Sequence, residues 1–584
     1  MQITPSSKVY DVCVVGSGAG GGMAAKVLTE GGATVAMIEA GPLWDASKSM
    51  MFSWPYDSPR RGANTERPFG EFDAAFGGWE IEGEPYTNAP GTKFDWFRSR
   101  MLGGRTNHWG RISLRFGPND FRRRSIDGLG DDWPITYDEI KPYYDKVDRL
   151  VGVFGSKEGI YNEPDGIFMP PPRPRAYELL VKRACEQLKI KIIPSRLSIL
   201  TQPLNGRPAC HYCSQCNRGC TTNSNFSSST VLIPPAMATG RLEILANSMA
   251  REVTTDSNGQ ATGVSYVSKL DGKEYAVRAK IVVLAASAGE TARLMLNSKS
   301  ARHPNGIGNS SDVVGRYIMD STGASAAGLF PQMMDLPPHN EDGVGGMHLY
   351  MPWWLDNKKL DFPRGYHIEF GGGKRMPGFG FMGGLHNYNY VGYNTAGQYA
   401  SQQAGDPTQK RGGGGYGKQL KDDYRRYYGA TIGFSGRGEA VARKENYCEI
   451  DPNVVDKYGI PVLRFHYTWS DYEFKQAKHM QETFREIIQQ MGGQALSPMP
   501  TKENGYGIDT PGRIIHEVGV ARMGNDPKSS AVNKYCQAHD VKNLFVADAA
   551  SFVSQADKNP TWTILALSMR TAEYIIQEKK RMNI

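Results

Sequence analysis

Two groups of residues in this 584-residue chain are spaced for chemistry. Near the N-terminus, Gly16-Ser17-Gly18-Ala19-Gly20-Gly21 follows the apolar run Tyr10 to Val15 and precedes the helix-like MAAKVLTEGG. In such a G-x-G-x-x-G loop Gly16 permits the tight turn, Gly18 lets the backbone approach a pyrophosphate, and Gly21 lets the helix pack closely on the strand. The helix N-terminus then faces the anion. Glu39 ends the next strand, ATVAMIEAG, where a carboxylate can accept hydrogen bonds from ribose hydroxyls. In the middle of the chain, ACHYCSQCNRGC sets Cys210, Cys213, Cys216 and Cys220 in a C-x2-C-x2-C-x3-C spacing, the thiolate pattern of iron–sulfur clusters of the 4Fe-4S or 3Fe-4S kind. Thr221, not proline, follows the last cysteine, and tetrahedral zinc or two local disulfides could use the same thiols. A dinucleotide and a cluster on one chain imply electron transfer.

These residues need elements to position them. Strand, glycine loop, helix and second strand form a βαβ unit, the start of a parallel sheet. The length exceeds one ordinary core, and a hydrophobic fraction of 40% supplies enough apolar surface for several structural units. No run approaches the roughly 20 apolar residues that cross a bilayer. The opening MQITPSSKVYDVCVVGSGAG lacks a basic start and cleavage site, so no secretory signal is expected in this chain and export would need a partner. A formal charge of +8 is dispersed except at Arg122 to Arg124 and near the C-terminus, which argues against nucleic-acid binding. Cys13, Cys185, Cys448 and Cys536 are scattered and expected to be buried small hydrophobes. From about Val313 the chain becomes aromatic and glycine-rich, as expected for a substrate domain on an antiparallel sheet. Trp353, Trp354, Tyr388 and Tyr390 could stack on a sugar ring, and residues 395–417 read as a loop over the site.

Further segments carry a family resemblance. Met101-Leu102-Gly103-Gly104-Arg105-Thr106-Asn107-His108-Trp109-Gly110, the stretch Asp131 to Gly155, Ala246 to Val253, and IVVLAASAGETAR from Ile281 to Arg293 resemble segments of the glucose–methanol–choline (GMC) oxidoreductases. So do Ile515-His516-Glu517-Val518-Gly519 and the closing NLFVADAASFVSQADKNPTWTILALSMRTAEYI. The resemblance implies an α/β fold: a discontinuous Rossmann-like FAD-binding domain over 1–155, 205–312 and 506–584, and a substrate domain over 156–204 and 313–505. It further implies that Gly103, Gly104, Asn107, His108, Val253, Asp548 and Thr561 join Gly16, Gly18, Gly21 and Glu39 in holding FAD. His108 matches a histidine that carries the flavin covalently in pyranose oxidases. His211 is expected to lie outside any cluster ligand set.

Hydride removal from a C–H bond is difficult unless the neighbouring hydroxyl loses its proton, so a neutral imidazole beside the carbon is the useful group. His516 is the expected base, and Asn559 the expected hydrogen-bond partner of the same hydroxyl. Two enzyme readings stand: a dehydrogenase passing electrons through a cluster to an external carrier, or a pyranose-oxidase-like enzyme using dioxygen. A flavin- or metal-binding module without turnover is the reading outside catalysis. The Asn-His-Trp-Gly segment resembles glucoside 3-dehydrogenases, which implies oxidation of a glycoside at C3, with an aldose 1-dehydrogenase as the alternative. It also implies a small twin-arginine-bearing subunit, a c-type cytochrome, and periplasmic residence through that partner, or otherwise the cytoplasm.

Overall fold

The computed structural model describes residues 4–45, 77–214, 216, 220–336, 343–352, 360–373, 418, 425–426 and 428–584. The expected loop at 395–417 and Trp353, Trp354, Tyr388 and Tyr390 lie outside the described residues. The apolar run Val12 to Val15 is wholly buried, as a strand covered on both faces must be. It ends strand β1 (Thr4–Val15), which is followed by α1 (Ala19–Glu30) and β2 (Val35–Ile38).

A seven-stranded sheet grows from this unit, adding β3 (Leu242–Leu245), β4 (Ser248–Thr255), β5 (Ala261–Ser268), β6 (Glu274–Leu284) and a late C-terminal strand, Leu544–Val546. The spatial order is β3-β2-β1-β6-β5-β4. β6 runs parallel to β1 along one edge. Along its other edge, its first half pairs antiparallel with β5 and its last residues, Val282 to Leu284, pair parallel with Leu544–Val546. One face packs on α1 and the C-terminal helix Thr561–Lys580 through Val12, Val14, Leu28, Val283, Phe545 and Ile575.

The second layer is a four-stranded antiparallel sheet. β7 (Thr322–Leu329), β8 (Tyr366–Gly372), β9 (Thr431–Gly438) and β10 (Gln494–Ala495) lie in the order β8-β9-β7-β10. Period-2 alternation sends Ala324, Ala326, Ile368, Phe370, Ile432 and Phe434 to one face, where they pack on Met480, Phe484 and Ile487 of the helix Asp471–Gln490. Ser470 and Glu473 cap that helix reciprocally, the Ser470 amide donating to the Glu473 carboxylate at 2.6 Å. The opposite face presents Gly323, Ser325, His367, Glu369, Ser435 and Arg437, with Arg437 in register between Gly323 and His367. Among the described residues no helix is long and apolar enough to cross a membrane. The α/β class with a separate antiparallel sheet is therefore as the resemblance implied.

Candidate active site

The first loop is built from glycines with different neighbours. A Cβ on Gly16, at φ 95°, would meet the Ala285 carbonyl oxygen at 2.4 Å; one on Gly20 would meet that of Ala547 at 1.9 Å, and one on Gly21 that of Gly16 at 1.9 Å. A Cβ on Gly18 would meet nothing within 4 Å, because it would project into a cavity of about 550 Å³. Gly18 is thus the position where a ligand's phosphates can reach the backbone, and the other glycines hold the loop together. Glu39 lines the same cavity and accepts the amides of Ser17 (3.2 Å) and Gly41 (2.7 Å) and the Ser17 hydroxyl. Burial raises its pKa against these hydrogen bonds.

Gly103 and Gly104, at φ 90° and 52°, open a short turn tied to the first loop by the Gly103 amide donating to Ser17 Oγ at 2.8 Å. Asn107 closes the turn and does not line the cavity: its amide donates to the Leu102 carbonyl (2.8 Å) and its Oδ1 accepts Ser229 Oγ (2.7 Å). His108 does line it, with Nε2 3.1 Å from Ser99 Oγ, and burial followed by Arg111 and Arg105 pushes its pKa down to about 3. Gly104, Asp548 and Thr561 also reach the cavity. Asp548 accepts Thr291 Oγ1 (2.6 Å) and the amides of Ser287 and Ala550; burial pushes its pKa up to about 6. Val253 does not reach the cavity: it is buried in the core, its amide donating to Ser298 Oγ, and Ser248, Met249 and Ala250 of the same strand form the wall instead.

His516 and Asn559 meet in the wall of the same cavity. The Asn559 amide donates to His516 Nε2 at 3.1 Å, which leaves the lone pair on Nε2 and the proton on Nδ1, 3.0 Å from Ser321 Oγ. Gln555 in turn donates to Ser321 Oγ at 3.1 Å. Burial, then Arg437, pushes the His516 pKa down to about 3, so the ring is neutral. Asn559 Oδ1 is buried without a hydrogen-bond partner among the described residues, a sign of a group that completes it from the cavity. The preceding Ile515 holds φ 65°, rare for a β-branched residue, and Asp320 clamps both sides of it, accepting the amides of Ile514 (3.2 Å) and His516 (2.9 Å).

Several wall residues escaped the sequence reading. Glu369 and Arg437 project from neighbouring strands of the antiparallel sheet, 3.8 Å apart. His367 bridges Glu369 (3.1 Å) and the Asp557 carbonyl. Lys558, wholly buried, pairs with Asp557 and Asp120 and anchors the loop that carries Asn559. The available signal was the strand pattern YHIEF, whose charged positions alternate with apolar ones.

The cysteine segment touches the site: Cys216 is part of the cavity wall. Cys213, Cys216 and Cys220 are near enough to act on Cys210 electrically; burial, opposed by the Tyr212 amide and aided by these thiols, pushes the Cys210 pKa up to about 12. All eight cysteines are free, so no local disulfide is formed. Among the described residues no three or more of His, Cys, Asp and Glu are arranged to hold a metal, so the expected cluster ligand set is not closed in this arrangement. Cys13, Cys185, Cys448 and Cys536 are buried.

Sequence profiles described as GMC oxidoreductase match residues 24–320 and 442–568. The chain is 28% identical over 589 residues to a 2-methyl-1,2-propanediol dehydrogenase of Mycolicibacterium austroafricanum, covering 98% of this chain and 96% of that one. It is 26% identical over 595 residues to the fructose dehydrogenase large subunit of Gluconobacter japonicus, covering 98% of each. The fold is shared with an Aspergillus oryzae formate oxidase, at a TM-score of 0.65 and 15% identity over the whole of both chains.

Proposed function

The chain belongs to the GMC oxidoreductase family and is an FAD-dependent oxidoreductase acting on CH–OH groups, and from that premise we propose that it oxidises a secondary hydroxyl of a sugar or glycoside, with His516 as base and Asn559 as its partner. The observation that carries the reading is the shared cavity: the His516–Asn559 pair and the open face of Gly18 line the same space. Gly16, Gly18, Glu39, Gly104, His108, Asp548 and Thr561 would hold FAD there, which supplies the hydride acceptor when bound. A covalent bond through His108 is the finer form of this proposal.

A substrate hydroxyl entering between Asn559 and His516 replaces their direct hydrogen bond. It accepts from Asn559 Nδ2 and donates to His516 Nε2, while Asn559 Oδ1 is left for a second hydroxyl. His516 Nε2, whose lone pair is directed to Asn559 and the cavity, takes the proton as the hydroxyl becomes a carbonyl. Ser321 keeps Nδ1 as the donor and so keeps Nε2 aimed at the substrate.

We place the reaction at C3 of a glucoside, on the resemblance of the Asn107–Gly110 segment to glucoside 3-dehydrogenases. The fructose dehydrogenase relative, itself a large subunit, supports a sugar substrate and partner subunits. A small twin-arginine-bearing subunit, a c-type cytochrome acceptor and a periplasmic location complete the proposal. The cysteine spacing supports a cluster at Cys210, Cys213, Cys216 and Cys220; iron and sulfide should accompany anaerobically purified protein, and stoichiometric zinc without sulfide overturns it.

In stopped-flow mixing, methyl glucoside should reduce the flavin and His516→Ala should abolish most of that reduction while keeping FAD. Asn559→Ala should slow it by about tenfold to a hundredfold, the loss of one hydrogen bond of roughly 1–3 kcal/mol. Wild-type rates in the histidine variant would overturn the role of His516. Activity confined to free aldoses would move the reaction to C1, and rapid stoichiometric peroxide would make the enzyme an oxidase.

A further inference from the structure

The cavity that His516 lines is charged: Arg105, Arg437 and Arg513 in its wall face carboxylates, whereas Arg98 and Arg111 donate to backbone carbonyls. Arg105 grips Glu517 with two nitrogens, at 2.7 and 2.8 Å. Arg513 pairs with Asp95. Arg437 lies 3.8 Å from Glu369 and is held in place by Ser435 Oγ (2.6 Å) and the Gly436 carbonyl (3.0 Å). The first two pairs are tight, but the third is open: at 3.8 Å neither group satisfies the other's hydrogen bonding. His367 Nε2 lies 3.1 Å from the other Glu369 oxygen and fixes that side chain's orientation.

Resting on the glycoside reading above, we propose that Glu369 and Arg437 form the specificity site for a neutral vicinal diol, and that the Glu369 carboxylate disfavours a sugar acid at this position. Two neighbouring hydroxyls suit such a pair. Their hydrogens donate to the carboxylate and their oxygens accept from the guanidinium, whose planar fork matches two acceptors at once. A simple alcohol offers one such contact. A substrate carboxylate placed at this pair would lie against the fixed negative charge of Glu369, which repels it. Burial opposes charge on Glu369, but Arg437 and then His367 prevail and push its pKa down to about 2, which favours the carboxylate form. The alternation that buries Ile368 and Phe370 beneath the helix is what turns Glu369 toward the cavity and puts His367 on the same face of the sheet.

The test measures equilibrium binding to the holoenzyme and flavin reduction separately, with methyl glucoside and methyl glucuronide. Wild type should bind the neutral glycoside at least about tenfold more tightly than the acid, the span expected from lost charged hydrogen bonds. Glu369→Gln should weaken methyl glucoside and shift preference toward the glucuronide, by releasing the Arg437 charge. Arg437→Gln should weaken methyl glucoside and shift preference further from the glucuronide. The opposite signs of the two shifts separate recognition from a general loss of structure, and either variant alone suffices if the other fails to fold. Equal wild-type binding of acid and neutral glycoside, or shifts of the same sign, overturns the proposal. Tight selective binding of methyl glucoside without flavin reduction would instead sink the catalytic reading and leave the diol site standing.

Discussion

Ile515 occupies a backbone conformation that costs a side chain of its shape about 1–3 kcal/mol. Asp320 offsets that cost by accepting the amides on either side, so the strain is spent on aiming His516. Ile515→Gly should therefore hold or raise Tm in thermal unfolding while slowing flavin reduction, because the relaxed segment no longer fixes the ring. Asp320→Ala should lower both, since it leaves two amides unpaired at roughly 1–3 kcal/mol each. Protonation gives a second expectation. His108 and His516 both have pKa values pushed from 6.5 to about 3, so below pH 6.5 the unfolded chain takes up protons that the folded chain refuses. Their contribution to stability is full above that pH and is lost as pH falls toward 3, by up to about 1.4 kcal/mol per pH unit for each ring. Asp320 and Asp548, raised to about 7 and about 6, act in the opposite sense: their contribution is full below 3.8 and lost as pH rises through those values. The histidine share is therefore read by difference. Urea unfolding of His108→Asn between pH 4 and 7 should show an acid slope reduced by up to one proton, and an unchanged slope would contradict the buried neutral ring.

At the scale of elements, the first loop separates two kinds of glycine that look alike in a motif. Gly18→Ala should leave the apoprotein's Tm near wild type and weaken FAD binding, since the added methyl enters the cavity alone. Gly20→Ala should lower Tm even without cofactor, because its methyl would lie 1.9 Å from the Ala547 carbonyl oxygen. Calorimetry of the two apoproteins distinguishes them. The βαβ unit was legible because its signals are local: an apolar run, glycines at fixed offsets, and an acid at the end of the next strand. Val253 lies away from the cavity for a local reason of another kind. The pairing of β4 with β5 shifts register between Ala250 and Glu252, and a bulge there alters which residues face the cavity, a detail that strand propensity does not encode. Glu369 and Arg437 were invisible because their meeting depends on pairing between strands far apart in the chain, whose register no spacing specifies. His516 and Asn559 were singled out through family likeness, and the structure brings them together at 3.1 Å; their chemistry alone would not have distinguished them from other polar residues.

At the scale of the molecule, the site is assembled from nearly the full length of the chain, from Gly16 to Thr561. The cysteine segment reaches the same cavity through Cys216, whereas Cys213 lies outside the wall. Under the cluster proposal, Cys213→Ser should leave flavin reduction by methyl glucoside close to wild type and depress turnover with an external acceptor; equal loss of both would assign the segment a structural role. The pairing of Val282 to Leu284 with Leu544 to Val546 also bears on how the protein is made. Translation proceeds at roughly 5–20 residues per second, so that apolar edge of β6 waits for tens of seconds before its partner strand is synthesised. During that interval the nascent chain carries an open strand edge, the feature that invites mispairing with other chains. Asp548, Asn559 and Thr561 of the cavity wall follow that strand, so the cavity closes only after both the strand and these residues have been synthesised.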